Sequence, residues 1–136
     1  MVINNSYQCN PENYTKGRAL PIRYLVIHYT GNKGDTAKNN ASYFSTNEAG
    51  VSAHYFVDEN EIWQSVADGD KAWHCGRTDG IYKHPECRNE NSIGIEICMW
   101  DKDGGIRQDS IDRAATLACE LMSKYQIDTD HVVRHY

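Results

Sequence analysis

The segment 92–98, Ser-Ile-Gly-Ile-Glu-Ile-Cys, constrains the fold more than any other part of this chain. Its strict alternation predicts a β-strand, because successive side chains of a strand point to opposite faces of the sheet. One face carries Ile93, Ile95 and Ile97 and belongs in a core. The other carries Glu96, which lies either in solvent or in a cleft, and the sequence leaves both open. In a cleft, loss of water raises the pKa of a glutamate and suits it to general-base chemistry near neutral pH.

Four further runs predict strands around this one. The apolar run 24–27 predicts a central strand covered on both faces, with His28 at its end. The runs 52–57 and 62–66 are joined by four polar residues and therefore predict a hairpin. Another strand is predicted to begin at 131–135.

Two helices are predicted to cover the sheet. Between Thr36 and Ala49, apolar residues recur at an approximately helical spacing. Asp109 is expected to cap a second helix, whose apolar stripe faces the core. The members of that stripe are Ile111, Ala114, Ala115, Ala118, Leu121, Met122 and Tyr125.

The remaining segments predict irregular structure within a single domain that spans residues 1–136. Residues 1–21 are polar and are expected to form an irregular arm, and residues 67–91 a long loop of the kind that is often functional. The mixed order of strands and helices predicts an α/β fold with a mixed central sheet and helices packed on it.

Charge and composition exclude several partners. The net charge is −5, and the 14 Lys and Arg residues are scattered, so nucleic acid is not an expected partner. No run approaches the roughly 20 apolar residues of a membrane span, and the first residues lack the pattern of a secretory signal. The five cysteines are irregularly spaced and odd in number, which predicts mostly free thiols with one pair left open. The oligomeric state is not determined.

Six histidines suggest a metal site. His28 and His135 end strand-like runs at opposite ends of the domain, and strand ends hold ligands rigidly. Each could instead be an ordinary hydrogen-bonded histidine. A competing structural zinc site is suggested by His-Cys at 74–75 and His-x-x-Cys at 84–87, although adjacent residues rarely face one ion.

Five segments form a recognisable series. They are V-I-H-Y-T at 26–30, V-S-A-H-Y at 51–55, A-W-H-C-G at 72–76, N-S-I-G-I-E at 91–96 and V-R-H-Y at 133–136. In this order they resemble the motifs of the type-2 N-acetylmuramoyl-L-alanine amidase family, which includes phage endolysins, bacterial autolysins and the animal peptidoglycan recognition proteins. The resemblance implies the fold of this family, zinc as the cofactor and peptidoglycan as the substrate. The expected reaction is hydrolysis of the amide bond between N-acetylmuramic acid and L-alanine.

The resemblance also implies roles for the principal site residues. His28 and His135 correspond to two zinc ligands, and Glu96 corresponds to the general base of one branch of the family. Other branches use a tyrosine as the base, and Ala53 occupies that position here.

Four residues near the middle motifs receive roles by the same comparison. His74 is expected to contact the substrate or the oxyanion, and Trp73 to shape the substrate-binding cleft. Cys75 stands where many relatives have alanine and is expected to fill space. His54 is expected to be a packed structural histidine.

The chain departs from the family pattern at its end. In the family the second histidine opens a segment R-H-Y-D-x-T-G-K-x-C-P, which supplies a cysteine ligand and a catalytic lysine, whereas this sequence ends at Tyr136. The expectation is a domain truncated at its C-terminus and weak or inactive as an amidase. Two alternatives are a non-catalytic muropeptide-binding module of the same fold and a small structural-zinc protein. The resemblance places the protein at the cell wall, as a phage lysin or an autolysin.

Overall fold

The chain forms a mixed sheet with one long helix against each face, as predicted. The computed structural model describes residues 1–77 and 79–135. The strands are β1 (Tyr14–Thr15), β2 (Tyr24–Tyr29), β3 (Tyr55–Val57), β4 (Ile62–Gln64), β5 (Lys71–Ala72), β6 (Ser92–Ile97) and β7 (Val132–Arg134). The α-helices are α1 (Ala37–Thr46) and α2 (Gln108–Tyr125), and short 3₁₀ turns lie at Pro11–Asn13, Asn89–Asn91 and Thr129–His131.

The main sheet has the strand order β4-β3-β6-β2-β7. Strand β2 pairs in parallel with β6 and β7, and β3 pairs in parallel with β6. Strands β3 and β4 form the predicted antiparallel hairpin. The apolar run at 24–27 therefore does lie inside the sheet, and β2 continues through His28 to Tyr29.

The two faces of the sheet differ in chemistry. The face that carries Ile93, Ile95 and Ile97 packs against α2 in the main core, which confirms the predicted core face of β6. Because β2 and β6 are parallel with His28 opposite Glu96, those two side chains share the other face. Phe56 of β3 lies on this second face and packs with alanines of α1.

Helix α2 corrects two sequence predictions. Its N-cap is Arg107, which makes no side-chain capping bond, so Asp109 lies within the first turn and is not the cap. Leu117 is buried, whereas Ala115 is exposed. The buried stripe follows the helical spacing from Ala114 through Leu117 and Ala118 to Leu121, and this spacing turns Ala115 toward solvent.

The N-terminal residues are more ordered than predicted. Asn13 is fully buried, and its side-chain amide donates to the carbonyl oxygens of Phe44 and Asn47. Its Oδ1 accepts hydrogen bonds from the backbone N–H groups of Ala49 and Gly50. The predicted irregular arm thus holds the loop that follows α1, and that helix ends at Thr46, before Ala49.

The segment 67–91 was also predicted to be irregular. It contains β5, which pairs with β1, and the 3₁₀ turn at Asn89–Asn91. All five cysteines are free thiols in the described chain, as expected. Neither helix in the described residues has the length and apolar character needed to cross a bilayer.

The burial pattern of α2 predicts different effects of two substitutions. Leu117→Ala should lower the free energy of unfolding by about 3 kcal/mol, because it leaves a cavity beneath the sheet. Ala115→Gln should change it by less than about 0.5 kcal/mol, because the side chain enters solvent. Urea denaturation measures both values, and similar losses for the two variants would contradict this assignment of the helix face.

Candidate active site

The candidate site lies at the carboxyl edge of the parallel strands. His28 is near the end of β2, Glu96 is near the end of β6, and His135 directly follows β7. The carboxyl ends of parallel strands meet at one edge, where open α/β sheets bind their ligands. These three side chains line a cleft of about 590 Å³, together with Trp73 and His74. The structure thus brings together all five residues singled out from the sequence.

His28 and His135 are neighbours in the cleft although they come from opposite ends of the domain. Their ring centroids are 5.1 Å apart. Burial, assisted by the nearby His135, lowers the pKa of His28 to about 3, so its imidazole is neutral at physiological pH. Neutral imidazole is the form that binds metals. The two rings could hold a metal ion together, and their role as ligands stays a prediction.

Glu96 occupies the cleft and not the solvated surface. Burial raises the pKa of its carboxyl group to about 7, with the negative charge of Asp35 as the second cause. Its Oε2 atom is buried and has no hydrogen-bond partner in the described part of the chain. Of the two environments that the sequence left open, the cleft is the one found. Its role as general base stays a prediction.

His74 lies at the base of the cleft, with both ring nitrogens engaged. Its Nδ1 is 2.9 Å from Nε2 of His28, and its Nε2 is 3.0 Å from Oγ of Ser92. Backbone N–H groups of His74 and Cys75 donate to Oδ1 of Asn89, which holds this segment against the sheet. His74 is only 8% exposed. Its predicted contact with substrate or oxyanion stays untested.

Trp73 forms part of the cleft wall. Its indole N–H donates to Oγ1 of Thr15 at 3.0 Å, and its backbone N–H donates to Oγ of Ser52. Thr15 belongs to β1, which pairs with β5 just before Trp73. The N-terminal segment therefore positions this aromatic side chain, whose contact with substrate stays a prediction.

His54 is a packed histidine, as expected. It is fully buried, and the backbone N–H of Gly94 donates to its Nδ1. Its Nε2 lies 3.0 Å from the carbonyl oxygen of Asp70 and 2.9 Å from Nη2 of Arg18. Burial lowers the pKa of His54 to about 4.

The competing structural zinc site does not form. Nδ1 of His84 accepts hydrogen bonds from the backbone N–H groups of Glu86 and Cys87. Cys75 and Cys87 pack beside Tyr24 in an apolar cluster. Among residues 1–77 and 79–135, no group of three or more His, Cys, Asp or Glu side chains is arranged to hold a metal ion. Tyr136, the last residue of the fifth motif, lies outside the described residues.

Several site residues were missed from the sequence. Ser92 and Gly94 share the Glu96 face of β6, and the alternation of 92–98 already placed them there. Asn89 and Asp35 also support the site, but no local pattern distinguishes them from other polar residues. Their roles depend on contacts between segments that are distant in the chain.

Comparison with known proteins agrees with the motif series. A model of the family described as N-acetylmuramoyl-L-alanine amidase matches residues 18–136. A protein of Bacillus licheniformis named probable N-acetylmuramoyl-L-alanine amidase is 32% identical over 141 residues, which cover 99% of this chain and 40% of that protein. The chain therefore spans less than half of that relative's length.

Solved structures agree over the whole fold. The structure of PlyL is 32% identical with a TM-score of 0.79, and the match covers 99% of this chain and 81% of PlyL. The catalytic domain of XlyA, a Bacillus subtilis protein, is 29% identical with a TM-score of 0.80 and covers 99% of this chain and 84% of that domain.

The environment of Glu96 predicts a pH dependence of stability in the metal-free protein. Its pKa is about 7 when folded and near 4.5 when exposed, so between these values only the folded state keeps the proton. The free energy of unfolding should therefore fall as pH rises through this window. The fall should be on the order of 3 kcal/mol larger for the unmodified chain than for Glu96→Gln. Urea denaturation of both proteins across the window measures the difference. Parallel pH profiles would show that the carboxyl group is not desolvated.

Proposed function

The chain belongs to the N-acetylmuramoyl-L-alanine amidase family, and we propose that it hydrolyses the amide bond between N-acetylmuramic acid and L-alanine in peptidoglycan, with zinc as cofactor. The observation that carries the proposal is Glu96, a buried carboxyl group with a raised pKa beside two imidazoles in one cleft. A carboxyl group that titrates near neutral pH can both accept and donate a proton.

His28 and His135 would hold the zinc ion. Their adjacency and the neutral state of His28 fit a metal, and Glu96, whose Oε2 has no hydrogen-bond partner among the described residues, lines the same cleft. The two imidazoles supply two of the three protein ligands that are usual in a catalytic zinc site. When bound, zinc supplies Lewis-acid chemistry that acidifies water and polarises an amide carbonyl.

Glu96 would move the proton during hydrolysis. Its carboxylate accepts a proton from the water whose oxygen bonds to the lactyl carbonyl carbon of N-acetylmuramic acid. The same group then gives that proton to the nitrogen of L-alanine as the carbon–nitrogen bond breaks. The products are a carboxylic acid on the sugar and a free amine on the peptide, so the glutamate returns to its starting state.

The cleft would bind the sugar–peptide junction. Its volume of about 590 Å³ is within the range of small-ligand sites. Trp73 and Val51 offer apolar surface, and Asn32 offers an amide group for hydrogen bonds. Such a mixture suits a substrate that combines a sugar with peptide groups, and with such a substrate the protein would act at the bacterial cell wall.

A second candidate function is muropeptide binding without hydrolysis. The observation that favours it is the ligand count, because no third metal-ligating side chain joins His28 and His135 among the described residues. Glu96 favours hydrolysis, since a binding module does not need a desolvated carboxyl group whose burial destabilises the fold.

Replacing Glu96 tests hydrolysis directly. Glu96→Gln should lower the rate of release of L-alanine amino groups from purified cell walls by about 10²- to 10⁴-fold, because the amide cannot accept the proton. Zinc content and the circular dichroism spectrum should stay unchanged. Glu120→Gln, on the exposed side of α2, is the matched control and should keep full activity. Undiminished release by Glu96→Gln would assign the base to another residue, and binding of muropeptides without any release by the unmodified chain would favour the second function.

Zinc titration tests the two proposed ligands. His28→Ala and His135→Ala should each weaken zinc binding by more than about 100-fold, since even outer-shell changes weaken metal binding 10- to 100-fold. The control is His131→Ala, because His131 bonds to Asp128 and does not line the cleft. Competition with a chromophoric chelator measures the affinities. Equal binding by all three variants would rule out this pair as the metal site.

A further inference from the structure

We propose that His74 is a positioning residue, which together with Ser92 holds His28 in the tautomer that carries its proton on Nε2 and leaves Nδ1 for the metal. The part of this inference that concerns zinc rests on the proposed function. The tautomer itself is a property of the metal-free chain and can be tested alone. In this arrangement His74 supports the proposed metal ligand His28 and does not contact the substrate.

The direction of the hydrogen bonds is set by a backbone carbonyl group. Ser92 Oγ lies 2.6 Å from the carbonyl oxygen of Arg88, which can only accept, so the hydroxyl proton of Ser92 lies on this bond. The serine oxygen can then only accept from His74, whose Nε2 is 3.0 Å away. Nε2 of His74 therefore carries a proton.

His74 is neutral in this environment. The His74 ring is only 8% exposed, and its partners among the described residues are Ser92 Oγ, His28 Nε2 and Cys75 Sγ, with no carboxylate among them to stabilise an imidazolium, so the ring carries one proton only. With that proton on Nε2, Nδ1 is an acceptor. Sγ of Cys75 lies 3.3 Å from the same nitrogen, and a thiol can donate to an unprotonated nitrogen, so this contact is compatible with the assignment.

His28 is consequently the donor in its contact with His74. Nε2 of His28 lies 2.9 Å from the unprotonated Nδ1 of His74, and two bare nitrogens would repel each other at this distance. A neutral His28 with its proton on Nε2 has a free electron pair on Nδ1. Metal-binding histidines characteristically donate their second ring N–H to a protein acceptor, which fixes both tautomer and ring orientation. His74 is such an acceptor.

Gly94 makes room for this arrangement. A Cβ atom at position 94 would lie 2.6 Å from Nδ1 of His74, too close for any side chain. Behind it, the backbone N–H of Gly94 donates to His54, whose ring centroid is 5.7 Å from that of His74. The face of β6 that presents Glu96 to the cleft therefore also provides, through Ser92 and Gly94, the support for His74.

Substitutions at position 74 separate positioning from packing. His74→Phe keeps a ring but removes both nitrogens, and it should weaken zinc binding by about 10- to 100-fold. His74→Asn places an amide oxygen near the position of Nδ1, and it should bind zinc within about threefold of the unmodified chain. Ser92→Ala, which deletes one hydroxyl group, should weaken zinc binding in the same direction as His74→Phe. Affinities are measured by competition with a chelator on variants with unchanged circular dichroism.

Nuclear magnetic resonance of the metal-free chain tests the tautomer without zinc. Long-range ¹⁵N–¹H correlation of the histidine rings should show His28 protonated at Nε2 and bare at Nδ1, and His74→Phe should yield a mixture of both tautomers. If a position-74 variant is too unstable for zinc titration, the same spectrum can be recorded for Ser92→Ala. That variant should also show a mixture of the two His28 tautomers.

The outcomes distinguish this inference from the proposed function. A proton on Nδ1 of His28 in the metal-free chain would overturn the inference, and so would equal zinc affinity of His74→Phe and the unmodified chain. If the unmodified chain binds no zinc while His28 shows the expected tautomer, the zinc proposal fails but the hydrogen-bond relay stands. A zinc affinity of His74→Asn close to that of the unmodified chain supports a positioning role for His74. A loss of zinc affinity equal to that of His74→Phe contradicts it.

Discussion

The parallel pairing of β2 with β6 is the interaction on which the rest of the site depends. In this register His28 stands opposite Glu96, and Val26 stands opposite Gly94. Side chains alternate with period two, so a slip of one residue would turn Glu96 into the isoleucine core and an isoleucine into the cleft. The apolar packing of Ile93, Ile95 and Ile97 against α2 prevents such a slip. The same contacts that stabilise the fold therefore set the chemistry of the opposite face.

Burial gives the cleft its unusual protonation state. His28, His54 and His74 have lowered pKa values and Glu96 has a raised one, in each case chiefly because the charged form loses water. Without a metal, the imidazoles of His28, His54 and His74 are therefore neutral at physiological pH, and Glu96 titrates near neutral pH. An added cation would favour the ionised form of Glu96, which is the form that accepts a proton. The charge of a bound cation and the position of Glu96 in the cleft would therefore both suit the proposed role of Glu96 as general base.

Buried and half-buried polar side chains, and not regular strands, organise the segments around the cleft. Arg18 donates to the carbonyl oxygens of Asp68 and Ser92, and so joins the N-terminal segment to β6. Asn13 does the same for the loop after α1, and Asn89 for the segment that carries His74. Each supplies hydrogen bonds that a buried irregular backbone would otherwise lack. This is why residues 1–21 and 67–91, which look irregular by composition, are integral parts of the domain.

Local patterns in the sequence were enough to predict the strands at 24–27 and 92–98, the hairpin, both helices and the face on which Glu96 lies, because side-chain periodicity is a property of neighbouring residues. The order of five motifs identified the family and predicted its principal site residues. Tertiary structure decided which strands are neighbours, and hence that His28, His74 and His135 meet. It also decided that Arg107 precedes α2 and that Leu117, not Ala115, enters the core. These features depend on contacts between distant segments. The hydrogen bond between His28 and His74, for example, needs Ser92 to hold the His74 ring and Gly94 to leave space for it.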